Sequence, residues 1–186
     1  MSDKPIPPRP GQGAQDDRVA EMLRVDHAGE LAAVHIYRGQ AAVFGGTRED
    51  ALARDFQRME GEEQTHLDAF ETILRERRIR PTVMAPVWRL AALGLGAGTA
   101  LLGRKAAHAC TEAVESVIEE HYAGQIAEVS ASDPDLAARL TRFRDDELGH
   151  RDHAVTEGAR EAPAYPLLSA VIKTGCRLAI AISEKI

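Results

Sequence analysis

Several features that mark other classes of protein are scarce in this sequence of 186 residues. Only two cysteines occur, so no disulfide scaffold is expected, and the free thiols favour a reducing compartment. Basic residues are outnumbered by acidic ones, and the resulting formal charge of −6 argues against a nucleic-acid partner. Strand-like alternation is rare, and no glycine fingerprint of a nucleotide-binding turn is present.

The N-terminal stretch also lacks the apolar core of a secretory signal, and its acidic residues argue against a transit peptide. It is rich in proline and glycine, a composition typical of disorder. We therefore predict a disordered leader over 1–16 and a single domain over 17–186, located in the cytosol or on its membrane face.

The rest of the chain is dominated by alanine, leucine, glutamate and arginine, which are strong helix formers. Glycine, proline and capping residues divide it into five predicted helices, over about 17–44, 48–78, 103–130, 135–159 and 167–183. Four long helices and a shorter one predict an all-α fold built on a four-helix bundle.

An apolar segment at about 83–103 separates the second and third predicted helices. Its uncharged run over 90–102 has 13 residues, fewer than the roughly 20 that a membrane-spanning helix needs. Trp88 precedes the run, and Arg104 and Lys105 follow it, a flanking pattern typical of the membrane interface. The segment is either a glycine-rich helix buried in the core, or a surface that contacts a membrane or admits an apolar ligand.

Two pairs of helices carry matching polar residues. A Glu-x-x-His tetrad occurs at 63–66 and again at 147–150, 84 residues later. Each tetrad follows a helix in which a glutamate, Glu30 or Glu115, precedes a tyrosine at +7 and Gly-Gln at +9 and +10. Because the matched positions are polar, this internal duplication of a helix pair repeats a site and not merely a hydrophobic core.

The spacing of these residues is typical of a metal centre. Positions i and i+3 share one face of a helix, so the Glu and His of a tetrad can bind one ion. A Glu from each of two helices with Glu-x-x-His from each of two others is the ligand pattern of ferritin-like di-iron bundles. Mixed carboxylate and imidazole ligands favour iron or manganese over zinc, and divalent ions offset the cost of burying four carboxylates. The predicted ligands are Glu30, Glu63, His66, Glu115, Glu147 and His150.

Other polar residues lie near this set. Glu62 and Asp146 immediately precede the tetrads and could accept a hydrogen bond from a metal-bound imidazole across the bundle. His153 is predicted not to bind metal, because alanine stands at its matching position. Surface charge is the better interpretation for most of the nearby acids that break the repeat, which are Glu60, Glu62, Glu112, Glu119 and Glu120.

The two tyrosines at +7, Tyr37 and Tyr122, lie on the ligand side of their helices. Aromatic core packing and a redox or hydrogen-bonding role are equal alternatives for both. His121 lies about 120° around its helix from Glu115, where it could face the surroundings of the ligands or a substrate.

With these residues in view, the chain resembles the demethoxyubiquinone hydroxylase family, membrane-associated di-iron enzymes of ubiquinone biosynthesis. The resemblance extends over almost all of 24–186, and its most specific stretches are RVDHAGE at 24–30, GLGAGTALLG at 94–103, ACTEAVE at 109–115, HYAGQ at 121–125 and DDELGH at 145–150. It implies the same six metal ligands that the internal repeat selects. It also implies catalytic roles for His121 and Tyr122 in electron or proton transfer to the metals.

The activity implied by this resemblance is hydroxylation of the ring of a demethoxyubiquinol at two iron ions, which are ferrous in the O₂-reactive state. One oxygen atom of O₂ would enter the ring and the other would leave as water. The implied partners are a polyprenyl quinol, O₂ and a membrane surface, at the cytoplasmic side of a bacterial inner membrane. A homo-oligomer or a lipid-presenting partner protein is compatible with the sequence.

Three other interpretations share parts of this pattern. An iron-storage or ferroxidase protein would have the same helical architecture, and a di-manganese catalase or other peroxide-reducing protein would have similar ligands. A lipid-binding bundle without chemistry would explain the apolar segment but not the repeated ligands.

Overall fold

The computed structural model describes residues 12–186, with side chains from residue 17 onward. Most of the predicted leader therefore lies outside the described residues. The described part folds into six α-helices and no strand, which confirms the all-α prediction. The helices are α1 (Gln12–Phe44), α2 (Asp50–Arg77), α3 (Ala85–Leu101), α4 (Arg104–Val129), α5 (Pro134–Thr156) and α6 (Tyr165–Ser183).

The ends of these helices follow local sequence signals. α1 ends at a Gly-Gly pair in which Gly46 has a φ of 70°, a conformation that suits glycine. The carboxylate of Asp133 accepts a hydrogen bond from the backbone N–H of Leu136 at 3.0 Å and caps α5. α5 ends before the predicted boundary, and a 3₁₀ turn over Ala159–Glu161 follows it.

The two helix pairs of the internal repeat form the bundle. α1 packs along α2 and α4 packs along α5, and side chains from all four helices meet in one apolar cluster. Leu23, Phe70, Tyr122 and Leu140 are fully or almost fully buried in that cluster. This arrangement is the ferritin-like four-helix bundle that the sequence predicted.

Helix α3, from the apolar segment, lies against α1 with unusually close backbones. A Cβ atom on Gly96 would overlap the backbone of Ile36, and one on Gly39 would lie 2.5 Å from the carbonyl oxygen of Leu93. Only a narrow stripe of small residues on α3 is buried, whereas Leu90 and Leu101 are 74% and 76% exposed. The alternative of a helix buried in the core is therefore wrong.

Helix α6 covers one face of α4. By length and composition α6 is apolar enough to cross a membrane, a test that core helices of soluble proteins also meet. The two cations within α6 are paired with α4, Lys173 Nζ at 3.3 Å from Glu112 and Arg177 Nη2 at 3.1 Å from Glu120. Glu112 is only 4% exposed, so its interpretation as surface charge is wrong, because α6 buries it.

Candidate metal centre and its adjoining cavity

The six predicted ligands converge inside the bundle, at mid-height of the four long helices. Helices α1 and α4 contribute one glutamate each, and α2 and α5 contribute one tetrad each. No residue of this set is more than 6% exposed. The helical period thus brings together side chains that lie up to 120 positions apart in the sequence.

These side chains form two overlapping groups, in each of which the potential ligand atoms lie within 4.8 Å of one another. The first group is Glu30, Glu63, His66 and Glu147, and the second is Glu63, Glu115, Glu147 and His150. Glu63 and Glu147 belong to both groups. Two ions could therefore share these two carboxylates, with one further Glu and one His at each end.

The hydrogen bonding inside the cluster fits metal ions. Both carboxylate oxygens of Glu63 and Glu147, and the Nδ1 atoms of both tetrad histidines, are buried without a well-directed hydrogen bond in the described structure. Their polar neighbours are one another, with His150 Nδ1 at 2.8 Å from Glu63 Oε1 and His66 Nδ1 at 3.3 Å from Glu147 Oε1. Buried polar groups in proteins are rarely left unpaired, since each costs about 1–3 kcal/mol. Burial, with repulsion from Glu147 and Glu63, also holds the pKa of Glu115 well above its usual value. Cations would satisfy these atoms, so the buried cluster could hold metal.

Each tetrad histidine is oriented by a carboxylate from the opposite pair of helices. His66 Nε2 lies 3.1 Å from Asp146 Oδ2, and His150 Nε2 lies 2.8 Å from Glu62 Oε2. These contacts confirm the expectation for Glu62 and Asp146. The other ring nitrogen of each histidine, Nδ1, therefore faces the cluster, which is the usual arrangement for a histidine that binds metal through one nitrogen and a carboxylate through the other.

The two tyrosines bond across the repeat. The hydroxyl of Tyr37 donates to Glu115 Oε1 at 2.6 Å, and the hydroxyl of Tyr122 donates to Glu30 Oε1. Both side chains are 1% exposed, and burial raises the pKa of each well above its usual value. Each tyrosine thus combines core packing with a hydrogen bond, and each stays protonated at neutral pH.

His153 lies apart from the cluster, as expected for a residue that does not bind metal. Its Nε2 is 2.6 Å from Asp55 Oδ2. Arg58 bonds both Asp55 and Glu62, so a chain of charged side chains runs from His153 to the carboxylate that orients His150. Within the described residues, no such chain leads to Asp146.

Beside the cluster is an apolar cavity of about 360 Å³ between α1, α3, α4 and α6. His121 and Tyr122 both line it. His121 therefore faces the cavity, whereas Tyr122 connects the cavity with Glu30. The polar or sulfur-bearing side chains of the lining are Asp26, Trp88, His121, Tyr122, Cys176 and Ser183.

The polar wall of this cavity was not predicted from the sequence. The amide Nε2 of Gln125 donates to Asp26 Oδ1 at 2.7 Å and lies 2.9 Å from His121 Nε2. One signal was available, since Asp26 precedes Glu30 by four positions and therefore shares its helix face. The cavity itself depends on α6, whose position the local pattern did not indicate.

A sequence model of the family described as ubiquinone biosynthesis protein COQ7 matches residues 17–183. The chain belongs to this family. A protein named 3-demethoxyubiquinol 3-hydroxylase from Rhodospirillum rubrum is 46% identical over 181 residues, which is 97% of this chain and 83% of that protein.

Eukaryotic members of the COQ7 family are similarly close. The protein named NADPH-dependent 3-demethoxyubiquinone 3-hydroxylase, mitochondrial, is 45% identical in Caenorhabditis elegans over 172 residues, 90% of each chain. The human protein of the same name is 44% identical over 172 residues, 90% of this chain and 78% of that protein. The resemblance to the hydroxylase family is confirmed, and iron storage or peroxide reduction is not supported.

Proposed function

We propose that this chain hydroxylates the ring of a demethoxyubiquinol in ubiquinone biosynthesis, using O₂. The main support for this proposal is that the candidate metal site and the apolar cavity lie side by side. A buried ligand set for two ions lies against an apolar cavity, and Tyr122 belongs to both through its hydrogen bond to Glu30. The names of the relatives, which are ubiquinol or ubiquinone hydroxylases, support the same reaction.

The proposed metal is iron, two ions per chain, because carboxylate oxygen with imidazole nitrogen is a common iron ligand set. Its ligands would be Glu30, Glu63, His66, Glu115, Glu147 and His150. Two bound ferrous ions would supply two electrons and the oxygen chemistry that side chains lack. A reductant would have to return those two electrons after each turnover, in line with the names of the eukaryotic relatives, which are called NADPH-dependent.

The chain's own groups hold the substrate and keep water out. The cavity volume is within the range of small-molecule sites, and its apolar walls suit an aromatic ring with part of an isoprenoid tail. Tyr122 keeps its proton at the hydroxyl that donates to Glu30 and thereby fixes that carboxylate. Burial lowers the pKa of His121, so its imidazole faces the cavity in the neutral form and can exchange a proton with the ring.

We also propose that the protein acts as a peripheral protein on the cytoplasmic side of a bacterial inner membrane. The outer faces of α3 and α6, with the residues beside the ends of α3, expose large apolar side chains, which would otherwise face water. They are Val83, Val87, Leu90, Leu101, Leu102, Leu167, Val171 and Leu178. A polyprenyl tail that leaves the cavity between these helices would pass directly into lipid.

Vesicle binding tests this placement. Leu90→Glu combined with Leu101→Glu is expected to reduce binding to phospholipid vesicles about 10-fold, whereas Thr72→Glu, an exposed site on α2, should have little effect. Unchanged binding of the double variant would contradict the placement. The same faces could instead bind a second copy of the chain or a lipid-presenting partner protein, and such contacts would form without vesicles.

The quinone content of cells tests the reaction. Cells that lack this protein should accumulate a demethoxy precursor, and the wild-type protein should restore ubiquinone. Glu147→Gln, which alters a shared ligand, should not restore it, whereas Asp152→Asn, an exposed acid on α5, should. A normal quinone profile without the protein would contradict the proposal.

A further inference from the structure

The cavity offers very few polar atoms that are free to bind a ligand. Trp88 Nε1 donates to Ser183 Oγ at 3.0 Å, so these two side chains bond each other. The hydroxyl of Tyr122 is used by Glu30, and the thiol of Cys176 is a weak donor. Of the polar side chains that line the cavity, this leaves Asp26 and His121.

Asp26 is the more unusual of the two. It is 4% exposed, and Gln125 bonds only its Oδ1 atom. Its other oxygen, Oδ2, is buried without a hydrogen-bond partner in the described structure. A carboxyl oxygen left unpaired beside apolar walls costs free energy that a bound polar ligand would recover.

The charge state of Asp26 suits a neutral ring. Burial raises its pKa well above the usual value, the hydrogen bond from Gln125 opposes that shift, and the nearby Glu30 adds to it. Burial thus favours the carboxylic acid, which can donate one hydrogen bond and accept another. The oxygens of a quinone accept hydrogen bonds and those of a quinol can also donate them, so the acid can bind either form.

The position of Asp26 is also informative. Asp26 precedes Glu30 by one helical turn on the same face of α1, so a ring oxygen held there lies next to the metal ligands. The internal repeat places Thr111 at the matching position of α4, and Thr111 does not line the cavity. The other half of the repeat thus folds without an acid at this position, so the fold alone does not explain Asp26.

We propose that Asp26 binds a ring oxygen of the substrate and so determines which ring carbon faces the metal ligands. This inference rests on the proposed function, because it takes the cavity to be the substrate site. It assigns to Asp26 a direct contact with substrate, and to Gln125 the positioning of that acid.

The only tryptophan of the sequence, Trp88, lines the cavity and provides a direct measurement. Quinones quench tryptophan fluorescence, so a methoxy-methyl-benzoquinone with one isoprenyl unit can be titrated into the metal-loaded protein. Asp26→Leu is expected to weaken its binding about 10-fold, the effect of one lost hydrogen bond in a dry site. Asp26→Asn, which keeps a donor and an acceptor, should stay within about 3-fold of the wild type.

Two controls separate this effect from a change of shape. Thr111→Val, at the matching position of the repeat, should leave binding unchanged. An isoprenyl-toluene of similar size, which has no ring oxygen, should bind Asp26→Leu and the wild type equally well. Metal content and helical circular dichroism verify folding, and Asp26→Ala replaces the leucine variant if that variant does not fold.

The outcomes distinguish the two proposals. If the wild type does not bind the quinone, the proposed function is contradicted and this inference with it. If the wild type binds the quinone and Asp26→Leu binds it equally well, only the role of Asp26 is overturned. Equal weakening for the quinone and for the oxygen-free hydrocarbon would also overturn it.

Discussion

The two halves of the duplicated bundle hold the same ligands in different surroundings. Glu30 and His66 lie at one end of the metal site, and Glu115 and His150 lie at the other. At the Glu30 end the seam between α1 and α4 opens into the cavity. At the other end Tyr37, which bonds Glu115, does not line the cavity.

The surroundings of the tyrosines differ in the same way. Tyr122 borders the cavity, whereas the ring of Tyr37 stacks on Phe56 with centroids 6.3 Å apart and meets the edge of His150. The duplication therefore preserves the six candidate ligands, whereas the cavity borders only one of the two tyrosines. The candidate metal site is thus nearly symmetrical, whereas the cavity beside it is not.

The largest effect should come from a ligand that both ends share. Glu147→Ala removes a carboxylate from both groups, so we expect loss of both ions and a fall in hydroxylation of at least about 100-fold. Glu115→Ala removes a ligand from one end only and should retain more metal. Elemental analysis of the purified variants measures the stoichiometry, and full occupancy in Glu147→Ala would contradict the assignment.

A second difference between the halves concerns acid stability. His108 on α4 is fully buried without a partner for either ring nitrogen in the described structure, and Leu23 stands at its matching position. Burial lowers the pKa of His108 to about 4 from an ordinary 6.5. Between these values the unfolded chain binds a proton that the folded chain does not, so stability falls as the pH drops from 6.5 towards 4.

We expect this histidine alone to cost about 3 kcal/mol of the free energy of unfolding by pH 4. His108→Leu should remove that contribution and leave a flatter dependence on pH. Urea denaturation of both proteins at a series of pH values measures it. Parallel curves for the variant and the wild type would show that His108 does not titrate in this way.

The tyrosine pair should give an intermediate effect. Tyr122→Phe removes the hydrogen bond to Glu30 beside the cavity, and we expect turnover to fall about 10-fold. Tyr37→Phe removes the matching bond to Glu115 at the closed end and should change turnover by only about 2-fold. A steady-state assay measures turnover in both variants. Equal losses of turnover would show that the position of Tyr122 beside the cavity gives it no larger role than Tyr37.

The smallest effect should come from the charged chain behind His150. Arg58 bonds Glu62 and Asp55 and is about half exposed, so Arg58→Ala should weaken metal binding only about 5-fold. Its repeat partner, Arg142, forms no ion pair with any side chain of the described region, so Arg142→Ala is the matched control. Competition with a metal chelator measures the metal affinity of each variant. Equal affinity of Arg58→Ala and Arg142→Ala would show that the charged chain does not support the metal site.

The metal cluster and the cavity differ in how far the sequence could predict them. The Glu-x-x-His spacing is set by the helical period, so local sequence was enough to bring each pair to one face, and the repeat linked the pairs. The cavity and the burial of Glu112 depend on how α6 packs against α4, a contact between distant segments. Helix ends were less well predicted, as the 3₁₀ turn after α5 illustrates.

The contact between Gly39 and Gly96 has a mechanical consequence. Main chain lies directly on main chain there, so any residue larger than glycine at either position would push α3 away from α1. This wall of the cavity therefore has no layer of side chains that could rearrange. The opposite wall differs, because α6 is joined to α4 by the charged side chains of Lys173 and Arg177, and such pairs can separate and form again. We therefore expect α6, and not α3, to move when the cavity admits a long apolar chain.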